Sequence, residues 1–203
     1  MSRAQHAGRI EPWLGEHRRF DSWELVVLPC DELFALSVPG TLSQVVVSRG
    51  LSTTLAPAEL AAVVAHERSH LAHGHHHYLL LVAVVSGAFG FVPGVRRSVS
   101  TLRVALERWA DEDAAERNER RCVAAALARA SYLPAPEGLA AFGAPSMILE
   151  RLQALESPPV PRTLRRAMPI YVVIVGLAMA SVGVLASQAG QLRVLGSLVS
   201  RCL

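Results

Sequence analysis

Short β-branched runs and turn signals fill the first quarter of the chain. The runs Glu24–Leu28 and Gln44–Ser48 have the length of strands, and Pro39–Gly40 between them marks a turn. We therefore predict a small antiparallel β-sheet. Residues 1–23 are polar, with Arg and Glu intermixed, and show no strand or helix periodicity. We expect them to form a loose N-terminal arm.

Helical periodicity begins at Pro57, a residue suited to the first position of a helix. From Leu60 to Leu71, apolar residues recur three and four positions apart. Gly74 costs such a helix roughly 1 kcal/mol without ending it, so we expect one helix of about seven turns that runs through this glycine. A polar helix is predicted at SVSTLRVALERWADEDAAERNERRCVAAALARASYL, and a short helix at Ser146–Leu155.

Two long apolar runs, Tyr78–Val95 and residues 168–190, raise the mean hydropathy to +0.31. The second run has about twenty uncharged, mostly apolar residues, which is enough for a helix that crosses a bilayer. Three arginines stand just before this run and two stand after it: Arg162, Arg165 and Arg166, then Arg193 and Arg201. This bias predicts that the residues before 168 lie on the cytoplasmic side and the C-terminus outside.

These patterns predict a mainly α fold with a small antiparallel β-sheet and a C-terminal transmembrane helix. They also divide the chain into five segments. The segments are a loose arm (1–23), a core (24–135) with an apolar helical tip (78–95), a loop-rich linker with a short helix (136–167), the transmembrane helix (168–190) and a tail (191–203).

Composition excludes some classes of function. The 203 residues carry a formal charge of +3 and every basic residue is Arg. No basic stripe with interleaved aromatic residues is visible, so we expect no nucleic-acid partner. The cysteines Cys30, Cys122 and Cys202 are far apart and odd in number. They predict neither a disulfide framework nor a zinc ribbon.

The stretch AHERSHLAHGHHH holds six of the eight histidines and contains an HExxH motif, His66-Glu67-Arg68-Ser69-His70. Residues four apart share one face of a helix, so His66 and His70 can reach one metal ion. Glu67 projects beside that face, where it can take a proton from water at a zinc ion. The alternative is a pair of surface histidines on a polar helix face. The small and apolar residues before the motif favour the metal site.

A catalytic zinc site needs a third protein ligand. His73 lies on the same stripe, but a rigid helix rarely supplies three ligands to one tetrahedral ion. Glu107 on the polar helix is the better donor, and Asp111, one turn later, is placed to accept a proton from a ligand imidazole. The structural alternative is a solvated surface glutamate. We expect His73 at the rim of the site, and His75–His77 where the helix meets the membrane surface.

The segments VVVSRGLSTTLAPAELAAVVAHERSHLAHGH and LERWADEDAA resemble the membrane-bound gluzincin peptidases. The BlaR/MecR-type family is nearest, and the HtpX-like and CAAX prenyl proteases are more distant. The resemblance implies a zincin-like arrangement of an HExxH helix and a Glu-bearing helix. It implies that one Zn²⁺ is bound by His66, His70 and Glu107, with Glu67 as the general base and Asp111 as the helix-borne Asp of the family.

The resemblance extends to a substrate strand. In that family an extended substrate adds to the edge of a sheet. The matching segment here is VVVSRG, so Val45, Val46 and Val47 are the predicted substrate-binding residues.

The metal site constrains the first apolar run. His70 and Glu107 must meet on one side of the membrane, and the 36 residues between them are too few for two crossings. Three glycines and a proline between positions 87 and 94 supply a bend. We therefore predict an antiparallel helix pair whose apolar tip dips into the membrane or rests against it.

The sequence thus predicts a membrane-anchored zinc metalloendopeptidase that hydrolyses peptide bonds of protein substrates by Glu-assisted attack of zinc-bound water. The predicted partners are a protein or peptide substrate, the lipid membrane and a membrane or regulatory protein. The predicted location is the cell membrane, with the site on the cytoplasmic side. Two alternatives stay open: a non-proteolytic, zinc-containing regulatory or sensor module, and a histidine-rich metal-handling protein. Arg151 and Tyr132 are equal candidates for a second oxyanion donor.

Overall fold

The computed structural model describes residues 15–91, 94–132 and 145–163, together with Arg165, Ala167, Ile170, Val173 and Ile174. The described strands are β1 (Glu16–Arg19), β2 (Trp23–Leu28), β3 (Ala35–Val38) and β4 (Ser43–Ser48). The described helices are α1 (Arg49–Thr54), α2 (Pro57–Ala72), α3 (His75–Phe89), α4 (Val95–Ala115), α5 (Arg120–Tyr132) and α6 (Pro145–Glu156). The prediction of a mainly helical fold with a small sheet is confirmed.

Two compact units make up the chain. The first unit contains Met1–His76 and Leu106–Pro161, and therefore the whole described sheet and most of the helices. The second unit contains His77–Ala105 and Arg162–Leu203. The boundary between the units falls inside α3 and α4.

The sheet is mixed rather than antiparallel, which corrects the prediction. Its strand order is β1-β2-β4-β3, with β2 and β4 parallel and the other two pairs antiparallel. The turn at Pro39–Gly40 joins β4 to β3, a strand that the sequence pattern did not predict. Strand β3 lies at the edge of the sheet. Strand β4 therefore lies between β3 and β2, and it runs parallel to β2.

The predicted loose arm also needs correction, because Glu16–Arg19 forms strand β1 at the edge of the sheet. Its backbone pairs with β2, from Glu16 opposite Val27 to Arg19 opposite Glu24. Most of its side chains are exposed, so the sequence EHRR carries no alternation of apolar and polar residues. The first fourteen residues of the arm lie outside the described part of the chain.

The core of the first unit lies on both faces of the sheet. On one face, Val45 and Val47 of β4 join a cluster with α2, α5 and α6 that includes Ala62 and Leu127. On the other face, Val46 packs with its neighbours in β2 and β3 and with Phe34. A strand covered on both faces needs a continuous apolar run, which is why VVV occurs at the centre of the sheet.

The predicted seven-turn helix is two helices. Helix α2 ends at Ala72 and α3 begins at His75, and Gly74 between them has a φ of 61°. This is the left-handed conformation that a glycine adopts without a steric penalty just after a helix. The amide N–H groups of His73 and Gly74 donate back to the carbonyls of Ser69 and Leu71, which closes the last turn. The prediction that the helix passes through Gly74 was wrong.

The predicted polar helix is also two helices, α4 and α5. A turn at residues 116–119 separates them. The Asn118 side chain and its backbone N–H both donate to the carbonyl of Ala114, which terminates α4. The short predicted helix is present as α6, one residue longer at each end.

The second unit holds the apolar segment. Helix α3 ends at Phe89 and α4 begins at Val95, so the chain turns where the glycines and the proline predicted a bend. Val85 of α3 and Val99 of α4 pack against the buried Val95. Within the described residues, no helix has both the length and the apolar character needed to cross a bilayer. The predicted transmembrane helix at 168–190 lies almost wholly outside those residues.

Candidate metal centre

Helices α2 and α4 bring three possible metal ligands together. The Nε2 atoms of His66 and His70 are 3.1 Å apart. The Glu107 carboxylate lies 3.4 Å from Nε2 of His66 through Oε2, and 3.5 Å from Nε2 of His70 through Oε1. Among the described residues this is the group that could hold a metal ion.

The spacing of these atoms fits zinc. A tetrahedral zinc ion with bonds of about 2.0–2.1 Å to nitrogen and oxygen holds its ligand atoms about 3.3–3.4 Å apart. The three separations of 3.1, 3.4 and 3.5 Å lie close to that value. Two imidazoles and one carboxylate are also a known ligand set of catalytic zinc sites, in which a fourth position stays open. The side chains of His70 and Glu107 are 13 and 26 % exposed, so a substrate can approach.

Asp111 lies where its predicted role requires it. Its Oδ1 atom is 2.9 Å from Nδ1 of His66. A carboxylate at Nδ1 fixes the imidazole with its Nε2 lone pair toward the ligand cluster.

Arg151 of α6 lies behind both acidic residues of the site. Its side chain is 2 % exposed, and its Nε and Nη2 atoms each donate to Asp111 at 2.7 Å. Its Nη1 atom is 2.8 Å from Oε2 of Glu107. The guanidinium therefore holds the carboxylates of the site. This corrects its candidacy as an oxyanion donor, because a buried cation engaged by two carboxylates has no face toward a substrate. The side chain of Tyr132, the other candidate, lies outside the described part.

The two ligand imidazoles differ in proton affinity. Burial alone would lower the pKa of His66, but its hydrogen bonds with Asp111 and Glu107 raise that pKa to about 10. Burial, together with the charge of His66, lowers the pKa of His70 to about 4. In the metal-free protein His66 therefore carries a proton and His70 is neutral. A zinc ion binds only unprotonated imidazoles, so it must displace the proton of His66.

The acidic residues of the cluster remain ionised. Burial opposes ionisation, yet His66 and Arg151 hold the pKa values of both Glu107 and Asp111 below the usual range. The alternating charges of His66, Glu107, Arg151 and Asp111 offset one another inside the first unit. A cluster of this kind is ready for a cation once one proton leaves.

Glu67 stands beside the cluster and is buried. Burial raises the pKa of its carboxyl group, and the charge of Glu107 raises it further, whereas His66 and a hydrogen bond with Ser37 lower it. A carboxylate with a raised pKa is a stronger base than a solvated one. The geometry thus fits the role of proton acceptor that the HExxH motif predicts.

The predicted substrate strand is in the wrong place for substrate. Strand β4 has β2 on one side and β3 on the other, so its backbone is already paired. Val45, Val46 and Val47 are at most 1 % exposed. The continuous valine run reflects a strand that is covered on both faces. In the described residues the edge next to β4 is β3, and Ser37 of β3 bonds to Glu67.

Two histidines of the site region make contacts that the sequence did not predict. His73, expected at the rim, lies 2.6 Å from the Asp113 carboxylate, which also accepts a hydrogen bond from Ser69 at 2.9 Å. This link joins α2 to α4. His75, expected at the membrane surface, is fully buried and contacts His70. The signal that could have found it is Gly74, because a glycine near a helix end often redirects the chain.

Residues 17–106 match the family model of Peptidase family M48. The M48 match runs from β1 into α4 and includes the HExxH motif. It supports a metallopeptidase of family M48, in which zinc dependence is typical, and it does not separate the BlaR/MecR, HtpX-like and CAAX types. The match stops one residue before Glu107, so the third ligand rests on geometry alone. No curated protein and no solved structure matches the chain.

Proposed function

We propose that this protein is a membrane-associated zinc metalloendopeptidase that cleaves protein or peptide substrates. The observation that carries the proposal is the cluster of His66, His70 and Glu107, whose ligand atoms are spaced as around a tetrahedral ion, next to the buried Glu67. The match of residues 17–106 to Peptidase family M48 supports the same class of reaction.

The residues of the site have different roles in the proposed peptide hydrolysis. When bound, zinc polarises the scissile carbonyl and makes water a better nucleophile near neutral pH. Glu67 accepts the proton of the attacking water and donates it to the leaving amine. Asp111 and Arg151 keep His66 and Glu107 in place through the contacts at 2.9 and 2.8 Å. The side chains of His70 and Glu107 are partly exposed, so a substrate could reach a metal ion that they held.

An extended substrate would bind along β3 instead of β4. Strand β3 pairs on one side only within the described residues, so its other side can accept a peptide by β-addition. The hydrogen bond between the side chains of Ser37 and Glu67 places the β3 edge of the sheet next to the proposed general base. A scissile carbonyl on a peptide paired with β3 would thus lie near the metal centre.

The membrane location is proposed from the second unit. Leu80, Val84 and Phe91 are 65, 62 and 74 % exposed, which is unusual for large apolar side chains. The apolar run at 168–190 has the length of a transmembrane helix. Arginines are concentrated before that run, and by the positive-inside rule we propose that the active site is on the cytoplasmic side.

Zinc binding tests the first half of the proposal. We expect one tight zinc ion per purified chain, lost on treatment with a chelator and restored by added zinc. His66→Ala and Glu107→Ala should each reduce the bound zinc to background, whereas Arg49→Ala in α1 should keep it. Zinc that survives both ligand substitutions would instead favour the histidine-rich metal-handling protein.

A further inference from the structure

One histidine after the motif is buried, although it is the first residue of an apolar helix with many exposed residues. His75 has 0 % exposure, whereas the next two histidines, His76 and His77, are half-buried and exposed. Its Nδ1 atom lies 2.9 Å from Nδ1 of His70, and the two rings meet edge to face with centroids 4.8 Å apart. His75 therefore contacts the metal candidate His70 on the side opposite to the ligand cluster.

The helix break makes this contact possible. Residues five apart in an unbroken helix point about 140° away from each other, so His75 could not face His70. The left-handed conformation of Gly74 turns the chain, and α3 starts at His75 in a new direction. The break thus places the ring of His75 against that of His70.

The hydrogen bond between the two Nδ1 atoms determines which imidazole is the donor. If His70 binds a metal through Nε2, its proton must be on Nδ1. Nδ1 of His70 then donates to Nδ1 of His75, which must be the acceptor. His75 consequently carries its own proton on Nε2.

That second nitrogen has no hydrogen-bond partner among the described residues, although it is buried. The ring packs instead against Trp109 of α4 and the ring of His73, at centroid distances of 5.1 and 5.8 Å. A buried N–H without a partner destabilises a fold, so an apolar side chain would suit this pocket better if packing were its only purpose. Unlike an apolar side chain, the imidazole provides a hydrogen-bond acceptor at Nδ1.

We propose that His75 is a positioning residue for the metal centre: it accepts the Nδ1 proton of His70 and thereby directs Nε2 of His70 toward Glu107 and His66. His75 is not a fourth ligand, because its Nδ1 faces the wrong nitrogen of His70. The inference rests on the proposed zinc function. It gives the second ligand imidazole an outer partner, as Asp111 does for the first, and partners of this type typically change metal affinity by about 10–100-fold.

Two substitutions separate positioning from packing. His75→Leu fills the pocket without an acceptor, whereas His75→Asn keeps an oxygen near the position of Nδ1 but loses the ring. The full-length protein is purified in detergent, and zinc affinity is measured by competition with a chromogenic chelator. Thermal unfolding of the zinc-free form is measured in parallel, and His77→Asn is the matched control.

We expect zinc affinity and unfolding temperature to change independently in the two variants. His75→Leu should bind zinc about 10–100-fold more weakly, yet unfold at about the temperature of the wild type, because an unpaired Nδ1 of His70 replaces the unpaired Nε2 of His75. His75→Asn should unfold at a lower temperature but recover most of the zinc affinity. The cobalt-substituted His75→Leu protein should also show an altered visible spectrum, because one ligand imidazole is free to rotate.

Other outcomes would overturn the inference. Equal zinc affinity of His75→Leu and wild type would remove the positioning role while leaving the zinc centre intact. Affinities that follow the unfolding temperatures, with Asn weaker than Leu, would make His75 a packing residue only. A wild-type protein that binds no zinc would overturn the proposed function and this inference with it.

Discussion

The two units differ in where their charged and apolar side chains lie. In the first unit, carboxylates that are buried or partly buried are paired with arginines: Asp111 and Glu107 with Arg151, and Glu112 with Arg120. Of the nine exposed large apolar residues among those described, seven are in the second unit. The first unit thus has a polar cluster that could hold a cation, and the second has an exposed apolar surface, which we propose contacts lipid.

Removal of the cation behind the metal centre should have the largest effect on stability. Arg151→Met leaves the buried Asp111 without its arginine partner and removes one of the two cations beside Glu107, so we expect a loss of about 3–5 kcal/mol in the free energy of unfolding. Urea denaturation of the zinc-free protein measures it. Arg49→Met is the control, because that arginine forms an exposed pair with Asp31 and should cost no more than about 1 kcal/mol. Similar losses for both variants would contradict the account of the polar cluster.

The apolar surface can be tested by site-directed spin labelling. Leu80 and Leu149 are similarly exposed, at 65 and 59 %, but Leu80 belongs to the second unit and Leu149 to the first. In protein reconstituted into liposomes, a nitroxide at position 80 should be accessible to oxygen from the bilayer, and one at 149 to a water-soluble relaxant. Burial of a leucine in lipid is worth about 1.5–3 kcal/mol, so the label should be almost entirely in lipid. Equal accessibility at both positions would argue against membrane contact by α3.

Zinc binding should release a proton and depend on pH. In the folded, metal-free protein the pKa of His66 is raised to about 10, so His66 is protonated at neutral pH and the ion must displace that proton. The apparent affinity should therefore rise about tenfold per pH unit between about pH 6 and 9. Calorimetry in buffers of different ionisation enthalpy counts the released proton. Asp111→Asn removes the carboxylate that stabilises this proton on His66. The zinc affinity of the variant should therefore depend less steeply on pH. An affinity independent of pH in the wild type would contradict the assigned protonation.

A change at the helix break between α2 and α3 should have the smallest effect on stability. Gly74→Ala forces a left-handed conformation on alanine, which costs about 1–2 kcal/mol. Gly87→Ala, inside α3 with open space around it, should instead stabilise by about 0.5–1 kcal/mol. Thermal unfolding distinguishes the two. If Gly74→Ala were neutral, α2 and α3 would not need the break that places His75.

The sequence predicted the parts of the site that follow from local periodicity. HExxH on a helix gives the spacing of His66 and His70, and the ExxxD spacing placed Glu107 and Asp111 on one face of the next helix. Both inferences need only 3.6 residues per turn and a return of the chain.

The errors occurred where tertiary pairing decides the outcome. Strand order cannot be inferred from a valine run, because an edge strand and a central strand differ in their neighbours and not in their own spacing. The polar strand β1 has no pattern to detect, and Gly74 was treated as a small penalty instead of a turn. His75 was therefore assigned to a membrane surface, although the structure places it against His70.

The central claim is that Glu67 acts as the base of a zinc peptidase, and one substitution tests it most directly. Glu67→Gln removes the proton acceptor but none of the three metal ligands. We expect Glu67→Gln to bind one zinc ion per chain with wild-type affinity. Its rate of cleavage of a denatured test protein should fall by at least about 10²-fold. Cleavage at the wild-type rate by the variant would contradict the claim. A wild-type protein that binds zinc but cleaves nothing would favour the regulatory module instead.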